Sequence, residues 1–184
     1  MFYDLGANVG YFTLVAARLV GGVGHVYAFE PSPRPAAALR RNIALNGFDN
    51  VTVVERAVAD SNGLVRFDTK AREGDSHLEA RVAHDGDIEV HSTSIDAFVR
   101  SGARPPTAMK IDVEGYETEA IAGSVATITE HRPRIVCEIH QTRHVNEHPV
   151  ERIMKECGLR VRWLEPGMSR EATWWVPHVV GEPS

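Results

Sequence analysis

The sequence lacks several features that mark whole classes of protein. Its 184 residues include only two cysteines, Cys137 and Cys157, and these lack the CxxC or zinc-finger spacing, so we expect reduced, buried thiols. No apolar run reaches the roughly 18 residues that a membrane span needs, and the first residues lack the basic and apolar regions of a signal peptide. We therefore expect a cytoplasmic protein with no membrane partner.

Positively charged residues are fewer than negatively charged ones. Lys and Arg number 20 against 25 Asp and Glu, which gives a net charge of −5 with no run of five like charges. This balance disfavours a broad nucleic-acid-binding surface. With 43% hydrophobic and 24% charged residues, the composition is that of an ordinary globular protein, and the length suits one domain over residues 1–184.

Strand patterns alternate with amphipathic helical patterns along the chain. Strands are predicted at residues 2–5, 25–29, 51–54, 64–67, 88–92, 108–111, 134–139, 160–164 and 173–176, and helices at 11–20, 35–45, 95–99, 117–127 and 145–156. The first helix places Phe12, Val15, Ala16 and Leu19 on one apolar face. The alternation predicts βαβ units and a doubly wound α/β fold, in which ligands bind beyond the carboxyl ends of the strands.

The stretch after the first strand carries Asp4, Gly6, Asn8 and Gly10 in the pattern DxGxNxG. Glycines let a ligand approach the main chain, and the next helix presents free N–H groups. Asp4 would repel the pyrophosphate of a dinucleotide but suits an ammonium or sulfonium group. Glu30, 20 residues past Gly10, is placed to accept hydrogen bonds from ribose hydroxyls. The pattern favours S-adenosylmethionine, with a nucleotide-cofactor oxidoreductase as the weaker alternative.

These and other segments resemble the FkbM-type S-adenosylmethionine-dependent methyltransferases of the Rossmann-like class I. The resemblance rests on FYDLGANVGYFTL, VYAFEPSP, NIALNGFDNVTVVERAVAD, SIDAF, MKIDVEGYE and IVCEIH, which occur in the family's order within residues 2–140. It implies a doubly wound, mostly parallel seven-stranded sheet with an antiparallel pair of strands at its C-terminal edge. It also implies that further sequence before the first strand would form a lid over the cofactor.

The resemblance further implies a site for S-adenosylmethionine, with S-adenosylhomocysteine as its product. The residues implied are Asp4, Gly6, Asn8 and Gly10 at the methionine end, Glu30 at the ribose, and Ala57, Val58 and Asp60 around the adenine. The alternative for the two glycines is simply a tight turn, and for Glu30 a solvated strand end.

Asp112 and His140 follow the fourth and fifth strands of the predicted sheet and are the candidate catalytic residues. An aliphatic hydroxyl must lose its proton as it accepts a methyl group, so a base or a metal must take up charge. Glu114 and Glu117 could bind a divalent cation together with Asp112, or could balance charge at a helix N-terminus. Lys110 could pair with Asp112. A divalent cation is possible, but we predict no metal site.

Three histidines, His140, His144 and His148, recur every four residues and would align as metal ligands on one helix. Because His140 ends a strand and Pro149 follows His148, we expect solvated loop histidines instead.

The resemblance implies O-methylation of a hydroxyl on a sugar, glycan or natural product. The alternative is a module that binds the cofactor without turnover.

Overall fold

The computed structural model describes residues 1–68, 81–82, 88–140, 147–164 and 178–183. The strands within these ranges are β1 (Phe2–Leu5), β2 (Val26–Phe29), β3 (Val51–Val54), β4 (Ala57–Val58), β5 (Gly63–Asp68), β6 (Arg81–Val82), β7 (Ile88–Thr93), β8 (Ala108–Ile111), β9 (Arg134–Glu138), β10 (Leu159–Leu164) and β11 (His178–Pro183). The helices are α1 (Tyr11–Val20), α2 (Pro33–Leu45), α3 (Ile95–Arg100), α4 (Glu117–Ala122), α5 (Val125–His131) and α6 (Pro149–Glu156).

The main sheet has seven strands in the order β10-β11-β9-β8-β1-β2-β3. Neighbours from β9 to β3 pair in parallel, whereas β11 runs antiparallel to both β9 and β10. The predicted doubly wound sheet with an antiparallel C-terminal edge pair is therefore confirmed. The order reverses between β1 and β8, and at such a switch point the loops after neighbouring strands diverge and leave a crevice.

A second sheet, with the order β4-β7-β5-β6, was not predicted as a separate unit. Its β7 pairs in parallel with β4 and antiparallel with β5. The sequence indicated β5 and β7, but β4 spans only Ala57–Val58 and is too short to show a period. The predicted strand at 173–176 lies outside the described residues, as does the start of the predicted helix at 145–156.

The predicted helix at 117–127 is two helices, which separate at Gly123 and Ser124. A Cβ on Gly123 would lie 2.1 Å from the carbonyl oxygen of Ala59, so the loop after β4 passes directly against this point. Asp96 then accepts hydrogen bonds from the N–H groups of Ala126 and Thr127 at 3.0 and 2.8 Å, which caps the start of α5. A contact between distant parts of the chain thus divides a segment that is helical by its own periodicity.

Helix α1 faces the sheet with its small residues. Thr13, Ala16 and Ala17 are buried, while Phe12 and Leu19 are 50% and 80% exposed. The apolar face read from the sequence is therefore not the face that packs on the sheet, because small side chains let the helix lie close to β1 and β2. Among the helices of the described ranges, none combines the length and the apolar character that crossing a bilayer requires.

Candidate functional site

The carboxyl ends of β1, β2, β8 and β9 bring most of the predicted site residues to one edge of the main sheet. Asp4 pairs with Lys110 in the register of β1 and β8, so the two side chains lie on the same face. Asp112 directly follows β8, and its N–H donates to the carbonyl oxygen of Leu5 at 3.1 Å. The loops after β1 and β8 are thus held side by side.

Asp4 has no exposed surface. Its Oδ2 accepts a hydrogen bond from the hydroxyl of Thr13 at 2.6 Å, whereas no described residue donates a hydrogen bond to its Oδ1. Burial raises the pKa of Asp4, although the ammonium of Lys110, 3.6 Å from Oδ1, works against this rise. The role of Asp4 at the methionine end of a cofactor stays a prediction.

Lys110 is the central cation of the site. Its Nζ donates to the carbonyl oxygen of Gly6 at 2.9 Å and lies 3.0 Å from Oδ2 of Asp112. The ring of Phe12 lies against the same ammonium, with its centroid 5.3 Å from Nζ. Lys110 thus offsets part of the charge of Asp4, and the preference of this loop for a positively charged ligand stays a prediction.

The two glycines of the first loop are required by the fold itself. Gly6 has φ of 78°, and a Cβ there would lie 1.8 Å from the carbonyl oxygen of Asp112. Gly10 has φ of 99°, and a Cβ there would lie 2.4 Å from Cδ1 of Leu39. A side chain at Gly6 would meet the backbone, whereas one at Gly10 would require Leu39 to move, and both would be strained at positive φ. Their contact with a cofactor, like that of Asn8 between them, stays a prediction.

Glu30 joins the first two loops. Its Oε2 accepts from the N–H of Asn8 at 2.9 Å and its Oε1 accepts from the N–H of Ser32 at 2.8 Å. The residue is only 7% exposed, so it is not a solvated strand end, and burial raises its pKa. Each carboxylate oxygen has a further lone pair, so two ribose hydroxyls could still bind. The carboxylate of Glu30 therefore fits the ribose of S-adenosylmethionine.

The three residues predicted at the adenine lie in and after β4. Ala57 and Val58 are buried and pair with Ser92 and Thr93 of β7. Asp60 is exposed and accepts a hydrogen bond from the hydroxyl of Ser61 at 2.9 Å. Any contact of Ala57 and Val58 with an adenine ring would involve the main chain, and this part of the site stays a prediction.

His140, two residues past the end of β9, lies among four carboxylates. Its Nδ1 is 2.8 Å from Oε1 of Glu117, and its Nε2 lies 3.4 Å from Glu114, 3.6 Å from Glu138 and 3.7 Å from Asp112. Burial alone would lower the pKa of His140, but the hydrogen bond with Glu117 and the nearby carboxylates outweigh it and raise this pKa to about 9. The imidazole is therefore protonated at neutral pH.

Three of these groups could hold a divalent cation. One ligand atom each from Asp112, Glu114 and His140 lies within 4.8 Å of the others, and oxygen and imidazole ligands suit several divalent metals.

His148 lies away from these groups. It is buried, and its Nδ1 accepts a hydrogen bond from the N–H of Val150 at 3.2 Å at the start of α6. The expectation that His148 is solvated is wrong, and His144 lies outside the described residues.

That Glu117 and Glu138 both lie beside His140 was not foreseen from the sequence. Glu138 and His140 are two residues apart, which places both on one side of an extended chain and was a usable signal. Glu117 and His140 are 23 residues apart and follow different strands, so no local pattern joins them.

Comparison with known proteins finds similarity to methyltransferases. A model described as the methyltransferase FkbM domain matches residues 4–161. The 2-O-methyltransferase NoeI of Sinorhizobium fredii is 30% identical over 124 residues, which cover 58% of this chain and 50% of NoeI. The hexuronic acid methyltransferase AglP of Haloferax volcanii is 26% identical over 162 residues, which cover 86% of this chain and 63% of AglP. This chain thus spans between half and two thirds of these relatives.

Solved structures show the same fold at low identity. A methyltransferase FkbM from Methylobacillus flagellatus superposes with a TM-score of 0.62 at 18% identity, over 98% of this chain and 42% of that one. Fibrillarin from Aeropyrum pernix, crystallised with natively bound S-adenosyl-L-methionine, gives a TM-score of 0.59 at 12% identity, over 98% of this chain and 65% of that one.

Proposed function

The chain belongs to the FkbM methyltransferase domain family, and we propose that it transfers a methyl group from S-adenosylmethionine to a hydroxyl of a sugar, glycan or natural product. The observation that carries this proposal is the position of Lys110, which links the carbonyl of Gly6 in the first loop to the candidate base Asp112. The names of NoeI and AglP, a 2-O-methyltransferase and a hexuronic acid methyltransferase, support an oxygen acceptor of the sugar class.

The first loop and Glu30 would hold the cofactor. Glu30 would accept the ribose hydroxyls, and the turn from Gly6 to Gly10 would lie along the methionine end. Bound there, the cofactor would supply a methyl group on a positively charged sulfur, which makes that carbon electrophilic. Alignment of the acceptor oxygen with this carbon and the sulfur lowers the barrier most, so a rigid loop contributes directly to the rate.

Asp112 is the residue to which we assign the proton of the acceptor hydroxyl. The Asp112 carboxylate would take up this proton as the acceptor oxygen receives the methyl group. His140 is protonated at neutral pH, since its pKa is about 9, and so we give it the part of a cation that stabilises negative charge on the acceptor oxygen as its proton leaves. Lys110, whose Nζ lies 3.0 Å from Oδ2 of Asp112, would hold this carboxylate in place.

The exposed apolar side of α1 supports a further part of the proposal. Tyr11, Phe12, Val15 and Leu19 are all exposed, and Phe12 lies beside Lys110 at the edge of the site. We propose that residues 1–184 form a single methyltransferase domain and that a lid from a longer protein packs on this side of α1.

Titration of S-adenosylhomocysteine in a calorimeter tests the cofactor assignment. We expect binding to the chain and at least about tenfold weaker binding to Glu30→Ala, because two ribose hydroxyls lose a charged acceptor. Glu55→Ala is the matched control, since Glu55 is an exposed acid at the end of β3. Unchanged affinity of Glu30→Ala would contradict the assignment, and tight NADH binding would favour the oxidoreductase instead.

Turnover is tested with S-adenosylmethionine and a panel of methyl glycosides, a methyl glucuronide and a macrolide alcohol, with methylated products detected by mass spectrometry. Binding of S-adenosylhomocysteine without any product would favour a module that binds cofactor but does not turn over. Parallel reactions with EDTA, and with added Mg²⁺ or Mn²⁺, test whether Asp112, Glu114 and His140 use a metal.

A further inference from the structure

Glu117 is a buried acid that the proposed reaction does not use directly. It begins α4 and is only 1% exposed, so its carboxylate is closed to a substrate. Its Oε1 accepts a hydrogen bond from the N–H of Gly115 at 2.8 Å and lies 2.8 Å from Nδ1 of His140. One oxygen atom therefore ties the loop after β8 to the residue that lies beyond β9.

We propose that Glu117 is a positioning residue for methyl transfer, whose carboxylate fixes the imidazole ring of His140 so that Nε2 faces Asp112 and Glu114. This inference rests on the proposed function, because it gives Glu117 a part in the reaction through His140. It explains why a site that needs one base keeps a second, enclosed carboxylate behind the histidine.

The direction of the hydrogen bond follows from chemistry. Oε1 of Glu117 already accepts a hydrogen bond from the backbone N–H of Gly115 at 2.8 Å, so the same oxygen acts as an acceptor toward His140. Nδ1 must then carry the proton that is shared with Glu117. Since the histidine ring turns about a single terminal torsion, a bond at Nδ1 also sets the position of Nε2.

If Glu117 acted only through its charge near the N-terminus of α4, the neighbouring acid Glu119 would have a similar effect. Glu119 is the other acid in the first turn of α4, and a carboxylate at either position favours the N-terminal end of a helix. Of these two acids, Glu117 is the one that lies within hydrogen-bond distance of His140, as far as the described residues go. Glu119 is therefore a matched control that separates positioning from charge at the helix terminus.

The first experiment observes the contact itself. Protein labelled with ¹⁵N in its histidines is compared at one pH as wild type, Glu117→Gln, Glu117→Ala and Glu119→Ala, with His140→Gln used to assign the signal. We expect a downfield proton on Nδ1 of His140 that persists in Glu117→Gln and Glu119→Ala and disappears in Glu117→Ala. Persistence of this signal in Glu117→Ala would overturn the proposal.

The second experiment measures kcat and KM with the best methyl glycoside of the panel. We expect Glu117→Ala to lower kcat by about 10- to 100-fold, as is typical for groups that orient a reactive histidine, with KM changed less than about twofold. Glu117→Gln keeps an accepting oxygen and should recover most of kcat, and Glu119→Ala should stay within about twofold of wild type. Glu117→Met replaces the alanine variant if that variant fails to fold.

Two results would count against positioning: equal losses in Glu117→Gln and Glu117→Ala, or an equal loss in Glu119→Ala. Failure of the proposed function has a different signature. Wild-type protein that binds no S-adenosylhomocysteine, or that binds it without turnover, contradicts the proposed function. The imidazole signal still decides in that case whether Glu117 holds His140.

Discussion

The loops after β1 and β8 lie side by side, yet they are built in different ways. Part of the first loop's support comes from close by in the sequence, where Thr13 donates to Asp4 from nine residues away and glycines make the turn, and Glu30 adds a contact from the next strand end. The second loop obtains its partners from other strands, with Lys110 reaching to Gly6 and His140 to Glu117. The first loop thus combines a local turn with a contact to the next strand end, whereas the second depends on charges that the sheet brings together.

This contrast predicts where a small change has the largest effect. Gly6→Ala places a methyl group against the carbonyl of Asp112 in a left-handed backbone, so we expect a loss of about 3 to 5 kcal/mol in the free energy of unfolding, measured with urea. Gly21→Ala is the control, because Gly21 also has positive φ but has nothing within 4 Å of the added Cβ, and about 1 to 2 kcal/mol is expected. Equal losses would mean that the two loops are not locked together.

The stability that His140 contributes beside the second loop should depend on pH. The folded-state pKa of His140 is about 9 against an ordinary value of 6.5, so protonation stabilises the folded protein. This contribution is complete below pH 6.5 and is lost as the pH rises to about 9, at an expected cost of about 1 to 3 kcal/mol. Unfolding free energies of wild type and His140→Gln should converge over this range. Parallel curves would show that the four carboxylates do not hold the histidine charged.

The smallest effect is expected on the exposed side of α1. Leu19 is 80% exposed, so Leu19→Ser should change the free energy of unfolding of residues 1–184 by less than about 0.5 kcal/mol. If a lid packs on this side, the same substitution in a longer form of the protein should cost about 1 to 3 kcal/mol. An equally small effect in both forms would argue against the lid at this position.

Much of the main sheet could be predicted because its signals are local. The strand at residues 2–5 and the helix at 11–20 follow from hydrophobic period and turn residues, and the structure has both with the same bounds. The face that α1 turns to the sheet could not be predicted in this way. Phe12 and Leu19 are more apolar than Ala16 and Ala17, but close packing on the strands selects the smaller side chains.

The sequence by itself determined the alternation of strands and helices, the glycine turn after the first strand and the acid after the second, because each depends on residues close together in the chain. Tertiary structure alone decided that Lys110 lies between Asp4 and Asp112, and that His140 lies between Glu117 and Asp112. These groups come from strand ends that are far apart in the chain, so their contacts and the raised pKa of His140 arise only when parallel strands place these ends at one edge of the sheet.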